Sequence, residues 1–222
     1  MHLVLHPSRL ALGLVLAFAP FVSACRQAAA SEGSQGGDAS RGAELFQLCA
    51  QCHGTDGGGN HGVNAPAIAG LDRWYVEGQL RKFRSGVRGA HPDDVTGMQM
   101  RPMATSLRTD DDLRAVATHV AKLPSTNPAP VLRGGNPQTG AALFGPCQVC
   151  HGEKATGDAE RKAPPLARAN DWYLFAQIRK FKDGHRGAHP ADAEGAQMLP
   201  WMSTLSDEQA IRDVVAHIGR LR

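Results

Sequence analysis

Cys49-Ala50-Gln51-Cys52-His53 and Cys147-Gln148-Val149-Cys150-His151 are the two stretches on which the reading of this chain turns. Each is C-x-x-C-H, the spacing of a c-type haem attachment site: two thiols bond the porphyrin vinyl groups and the adjacent histidine binds iron. Two residues between the cysteines let both sulfurs reach neighbouring pyrroles, and the next residue turns back beneath the metal. A lone C-x-x-C would be weak evidence, because redox dithiols and half zinc sites share it. Two complete copies, 98 positions apart, are strong evidence for two covalent haem c groups. The competing reading is one four-cysteine zinc site, which would leave both histidines without a role and join distant parts of the chain.

The surroundings of the motifs repeat at the same offset. Gly42, Leu45 and Phe46 recur as Gly140, Leu143 and Phe144, and Pro66 recurs as Pro164. Trp74-Tyr75, Gln79 and Arg81-Lys82-Phe83 recur as Trp172-Tyr173, Gln177 and Arg179-Lys180-Phe181. Arg88-Gly89-Ala90-His91-Pro92 recurs as Arg186-Gly187-Ala188-His189-Pro190, and Gly97, Gln99, Met100 and Pro102 as Gly195, Gln197, Met198 and Pro200. A gapless repeat of this length marks a duplicated domain. The expected organisation is one domain over 39–123, a linker over 124–136 stiffened by Pro124, Pro128 and Pro130, and a second domain over 137–222.

Local patterns predict an all-α fold. A first helix is expected over 39–49, capped by Asp38 or Ser40, and a glycine-rich loop follows at Gly54 and Gly57-Gly58-Gly59. A second is expected over 72–84, because Val76, Leu80 and Phe83 form an apolar stripe that Leu174, Ile178 and Phe181 repeat. Thr109 with Asp112, and Ser206 with Gln209, predict capping boxes before the terminal helix of each copy. Nothing alternates long enough for a sheet.

Aromatic residues make up only 5% of the chain, too few for an ordinary core of 222 residues, and two porphyrins would supply the missing apolar bulk. Leu10 to Val22 is an apolar run too short to span a bilayer comfortably, and residues 1–24 are expected to be a signal sequence. Val22-Ser23-Ala24-Cys25 resembles the lipobox of bacterial lipoproteins, which makes Cys25 the expected lipidation site, with a flexible tether through residue 38. A periplasmic protein held on a membrane by its lipid is the resulting expectation. The formal charge of +3 is no sign of nucleic acid. Loss of Arg9 and gain of four haem propionates leave about −2, and no basic tail is present.

A sixth iron ligand should stand at the same distance after both motifs. Met100 and Met198 each lie 47 residues after the motif histidine, whereas Met98, Met103 and Met202 have no methionine counterpart. Each of the pair falls between a glycine-containing loop and a proline, as for a ligand presented by a loop. His91 and His189 are equally well placed in the repeat and remain the competing pair. They would make both haems bis-histidine, with lower potentials.

With these residues in hand, the chain resembles a two-domain dihaem cytochrome c of the c-four type, with two class I domains, over about residues 39–222. The resemblance implies that Pro66 and Pro164 offer carbonyl oxygens to His53 and His151, and that the first and last helices of each domain pair. It also implies electron transfer between redox partners such as membrane respiratory complexes, terminal oxidases or dehydrogenases. The alternatives are a peroxidase-like dihaem enzyme and a haem-bearing docking subunit of a dehydrogenase or oxidase complex. Pro146, and His119 and His217 where an aromatic is usual, depart from the family pattern.

Overall fold

The computed structural model describes His2, Leu3 and residues 40–222. The expected signal sequence, Cys25 and most of the tether lie outside the described residues. Among those described, no helix is long and apolar enough to cross a membrane, and the only β-pairings are the isolated bridges Asn60–Ala65 and Asp158–Ala163.

Helix α1 covers 40–53 and runs through the whole first motif rather than stopping at Cys49. Gly54, at φ +81°, ends it and returns its N–H to Ala50 O at 3.0 Å. After a 3-10 turn at His61–Val63 come α2 (Arg73–Ser85), α3 (Val95–Ser106) and α4 (Asp110–Lys122). The second repeat contributes α5 (Pro137–His151), α6 (Asp171–Lys182), the single turn α7 (Ala193–Ala196), a 3-10 helix at Leu199–Thr204, and α8 (Glu208–Ile218). Helix α5 starts under Asn136, whose side chain accepts from Gln138 N and Thr139 N, and it also carries its motif to the last residue. Pro146 sits inside α5 and removes one rung of its hydrogen-bond ladder without ending it.

The apolar stripe of α2 is buried as expected at Val76, Leu80 and Phe83. In α6, Leu174 and Phe181 are buried but Ile178 only partly so. Thr109 caps α4 by accepting from Asp112 N. At α8 the cap moves one residue past Ser206. Asp207 accepts from Ala210 N instead, because an ionised carboxylate is the stronger acceptor at a helix N-terminus.

First and last helices cross closely in each repeat. A Cβ on Gly42 would overlap the Ala115 carbonyl, and one on Gly140 would overlap that of Asp213. This approach lets Phe46 and Phe144 sink into the two cores at 1% and 0% exposure, each contributing roughly 1.5–3 kcal/mol. His119 and His217 fill the aromatic positions beside them, with ring centroids 4.9 and 5.4 Å from Phe46 and Phe144.

The repeats differ most where the methionine ligand was expected on a loop. Asp94 accepts from Gly97 N and starts α3, so Met100 is helical. In the second repeat the 3-10 helix Leu199–Thr204, with Pro200 in its first turn, follows α7; Met198 caps it and Met202 lies within it. The two repeats meet through reciprocal ion pairs. Lys180 Nζ stands 2.5 Å from Asp94 Oδ1, and Lys82 Nζ stands 2.6 Å from Asp192 Oδ1. Asn170 adds a bond from Ala67 N at 2.7 Å.

Candidate haem sites

The motif residues at the ends of α1 and α5 open into two cavities. Cys49, Cys52, His53, Pro66 and Met100 line the first, with Val76, Leu80, Phe83 and Val116 as its apolar wall. Cys147, Cys150, His151, Pro164 and Met198 line the second, with Phe144, Leu174, Phe181 and Val214. The four cysteines therefore do not gather, which removes the single zinc site. Burial holds the Cys49 and Cys147 thiols above their ordinary pKa, so neither is the low-pKa thiolate of a redox dithiol.

His53 Nδ1 lies 2.7 Å from Pro66 O, and His151 Nδ1 lies 2.9 Å from Pro164 O. A carbonyl oxygen only accepts, so each Nδ1 carries the proton and each Nε2 keeps a lone pair. Burial lowers both histidine pKa values, against the opposing pull of the carbonyl bond. A neutral imidazole, fixed in ring orientation and free at Nε2, is the form that ligates iron.

Each cavity holds a second thioether: Met103 in the first and Met202 in the second. These fall at unmatched positions of the repeat, whereas Met100 and Met198 match. His91 and His189 line neither cavity and stand on exposed loops.

A polar cluster between the repeats went unassigned in the sequence, although its members recur at the repeat spacing. Gln79 Oε1 accepts from Arg88 Nη1 at 2.7 Å and from Arg186 Nη2 at 3.4 Å. Gln177 Oε1 accepts from Arg186 Nη1 at 2.8 Å and from Arg88 Nη2 at 3.0 Å. The guanidinium groups lie over Phe83 and Phe181, each 4.3 Å from the ring centroid. Arg88 and Arg186 are only 3% and 7% exposed, and Nε of each lacks a partner. Burial and the charge of Arg88 depress the Arg186 pKa. Their hydrogen-bond partners are neutral amides, and the nearby carboxylates Asp94 and Asp192 are already paired with Lys180 and Lys82, so each guanidinium can still take an anion. Arg88 faces the first cavity and Arg186 the second, so haem propionates are the groups these donors fit. Tyr75 and Tyr173 line both cavities; burial and the neighbouring Tyr173 raise the Tyr75 pKa, whereas Arg88 and Arg186 lower that of Tyr173 against the cost of burial.

The Cytochrome c family matches residues 39–124 and again 137–222. A thiosulfate dehydrogenase electron acceptor from Stutzerimonas stutzeri (strain A1501) is 31% identical over 182 residues, covering 78% of this chain and 79% of that protein. Among solved structures, a thiosulfate dehydrogenase (TsdBA) from Marichromatium purpuratum has TM-score 0.65 at 28% identity over 81% of this chain. This chain spans only 39% of that longer chain. Reduced recombinant cytochrome c4 from Pseudomonas stutzeri has TM-score 0.63 over 81% of this chain and 96% of its own. At 22% identity that likeness is one of fold. Because the family matches each repeat separately, and the c4 fold is covered nearly end to end, the chain belongs to the cytochrome c family: it is a two-domain, dihaem electron-transfer cytochrome of the c4 type.

Proposed function

We propose that this chain is a periplasmic carrier taking electrons from a dehydrogenase and delivering them to a terminal oxidase or another membrane respiratory complex. The carrying observation is the wall the two cavities share, where Tyr75, Gln79, Tyr173 and Gln177 line both. Bound haem iron supplies one-electron chemistry at each site. The protein supplies the rest. Cys49 and Cys52, and Cys147 and Cys150, provide the covalent anchors. His53 and His151, oriented by Pro66 and Pro164, would hold the iron through Nε2, and Met100 and Met198 would add their thioethers. Arg88 and Arg186 neutralise the propionates in the shared wall. Iron held by both a histidine and a methionine would offer oxygen or peroxide no ready place to bind, which favours the carrier over a peroxidase-like enzyme.

The domains proposed for this carrier cover 39–123 and 137–222, joined through 124–136. Signal cleavage after residue 24 and lipid on Cys25 would hold them at a membrane through the tether. The Stutzerimonas relative's role supports a thiosulfate-oxidising dehydrogenase as donor. Oxidised holoprotein mixed anaerobically with thiosulfate and a catalytic amount of thiosulfate dehydrogenase should show full haem reduction in its absorption spectrum. If nothing is reduced, that donor is wrong. If instead the unmodified protein turns over peroxide rapidly, the carrier reading itself fails.

The match to part of a longer thiosulfate dehydrogenase chain favours a second reading, a haem-bearing subunit that stays docked on its dehydrogenase. Sedimentation of the two proteins together separates the readings. A stable complex at low concentration supports the subunit, and free exchange supports the carrier.

A further inference from the structure

Two histidines and a carboxylate converge where the repeats meet. His91 and Asp93 stand on the loop between α2 and α3, and His185 on the loop after α6. The ligand atoms they offer all lie within 4.8 Å of one another. The His91 and His185 rings are stacked, with centroids 4.1 Å and planes 20° apart, and His91 Nδ1 is 3.8 Å from Asp93 Oδ2. None of the three lines a haem cavity.

The loops beneath them are fixed from both sides. Asp94 N donates to His91 O at 2.9 Å, and the Asp94 carboxylate is clamped by Lys180 of the other repeat. Arg186, next to His185, is locked into the buried glutamine–arginine cluster. Ligands on a rigid frame, two exposed and His185 half-buried, are what a preorganised metal site requires. The duplication supplies an internal comparison. At the offset of 98, His91 becomes His189, Asp93 becomes Ala191, and His185 becomes Val87. The constellation exists at one end of the contact only, so neither haem binding nor the repeat accounts for it.

We propose that His91, Asp93 and His185 bind one divalent transition cation of the Zn²⁺, Cu²⁺, Ni²⁺ class and thereby clip the two domains together. Two imidazoles and one carboxylate suit these ions, whereas Ca²⁺ and Mg²⁺ take oxygen shells. Bonds of about 2.0–2.2 Å require the stacked His91 and His185 rings to turn until one nitrogen of each faces the ion, with water in the fourth position. The bond that His91 Nδ1 now accepts from Asp93 N, at 3.2 Å, is long and readily given up to a metal.

The test uses untagged dihaem holoprotein stripped with a chelator and equilibrated with Zn²⁺. Elemental analysis should find one zinc per two irons, and the thermal midpoint should rise because the ion binds only the folded, joined domains. His91→Ala and His185→Ala should each weaken zinc binding at least tenfold and abolish the rise, with unchanged haem spectra. His189→Ala, at the repeat-related position, should bind zinc as the parent does, and excess Mg²⁺ should not compete. No zinc bound at millimolar concentration, full binding in both His91→Ala and His185→Ala, or equal loss in His189→Ala would overturn the site.

Discussion

Lys180 reaches out of the second repeat to Asp94 of the first, Nζ to Oδ1 at 2.5 Å, and the Asp94 side chain has no exposed surface. Lys82 repeats the contact in the opposite direction on Asp192, which is 1% exposed. Burial alone would raise the Asp94 pKa, but Lys180, the Gly97 N–H and Arg88 outweigh it and hold the carboxyl below its usual 3.8. Asp192 is lowered against the same cost of burial, chiefly by Lys82. Both pairs work as internal charge clamps between the domains.

Asp94→Asn should therefore destabilise the protein by on the order of 3–5 kcal/mol, because Lys180 is left charged and nearly buried without its counter-ion. Asp94→Asn with Lys180→Met should recover much of that loss. Denaturant unfolding of the holoproteins measures both. The sign with pH follows from the lowered pKa values: the clamp is fully present above 3.8 and weakens only as pH falls through the lower folded value. Acid titration of unfolding should show parent and Asp94→Asn converging below that range and not above it.

Gly42→Ala and Gly140→Ala test the helix crossing. Each new methyl would press on a backbone carbonyl that cannot swing aside, so the cost should reach the upper part of the roughly 1–3 kcal/mol range for overpacking. Gly145→Ala, inside α5 with nothing within 4 Å and lining neither cavity, is the comparison and should gain up to about 1 kcal/mol from helix propensity. Urea midpoints of the three variants decide the matter.

The axial assignment is tested by spectrum. Met100→Ala and Met198→Ala should each remove about half of the weak sulfur-to-iron charge-transfer band of the oxidised protein and lower the potential of one haem, since thioether ligation favours the ferrous state. Met103→Leu and Met202→Leu, which change the other thioethers of the cavities, should leave the band intact. The reverse pattern would exchange the ligands.

Arg88→Met and Arg186→Met should lower the haem potentials, because removing a buried positive charge favours the ferric state. A shift on the order of 60 mV, a tenfold factor for a one-electron couple, is expected in redox titration. Lysine at either position should retain part of the effect.

Much of this was readable because a duplication exposes whatever the fold needs twice. Motif cysteines, Pro66 and Pro164, and the two methionines all recur, and each lines a cavity. Contacts made between the copies were harder to read. Gln79, Arg88, Gln177 and Arg186 recur as faithfully as any ligand, yet an arginine in a glycine-rich loop looks solvated until the opposite domain buries it. The shift of the α8 cap from Ser206 to Asp207 was hidden for a local reason, since two good acceptors stand side by side. The helical setting of Met100 was hidden because Pro102 reads as a breaker, whereas the helix capped by Asp94 runs on through it to Ser106.

The glutamine–arginine cluster also bears on how such a chain arises. Gln79 meets Arg186 while Gln177 meets Arg88, the isologous pattern of a symmetric homodimer, here enclosed within one polypeptide. A single-domain ancestor could have self-associated through this same patch, and gene fusion then replaced a concentration-dependent encounter with a tethered one. Once fused, the halves were free to diverge without losing their grip on each other. His185 and Asp93, present on one side of the dyad and replaced by Val87 and Ala191 on the other, are an asymmetry that two identical subunits could not have.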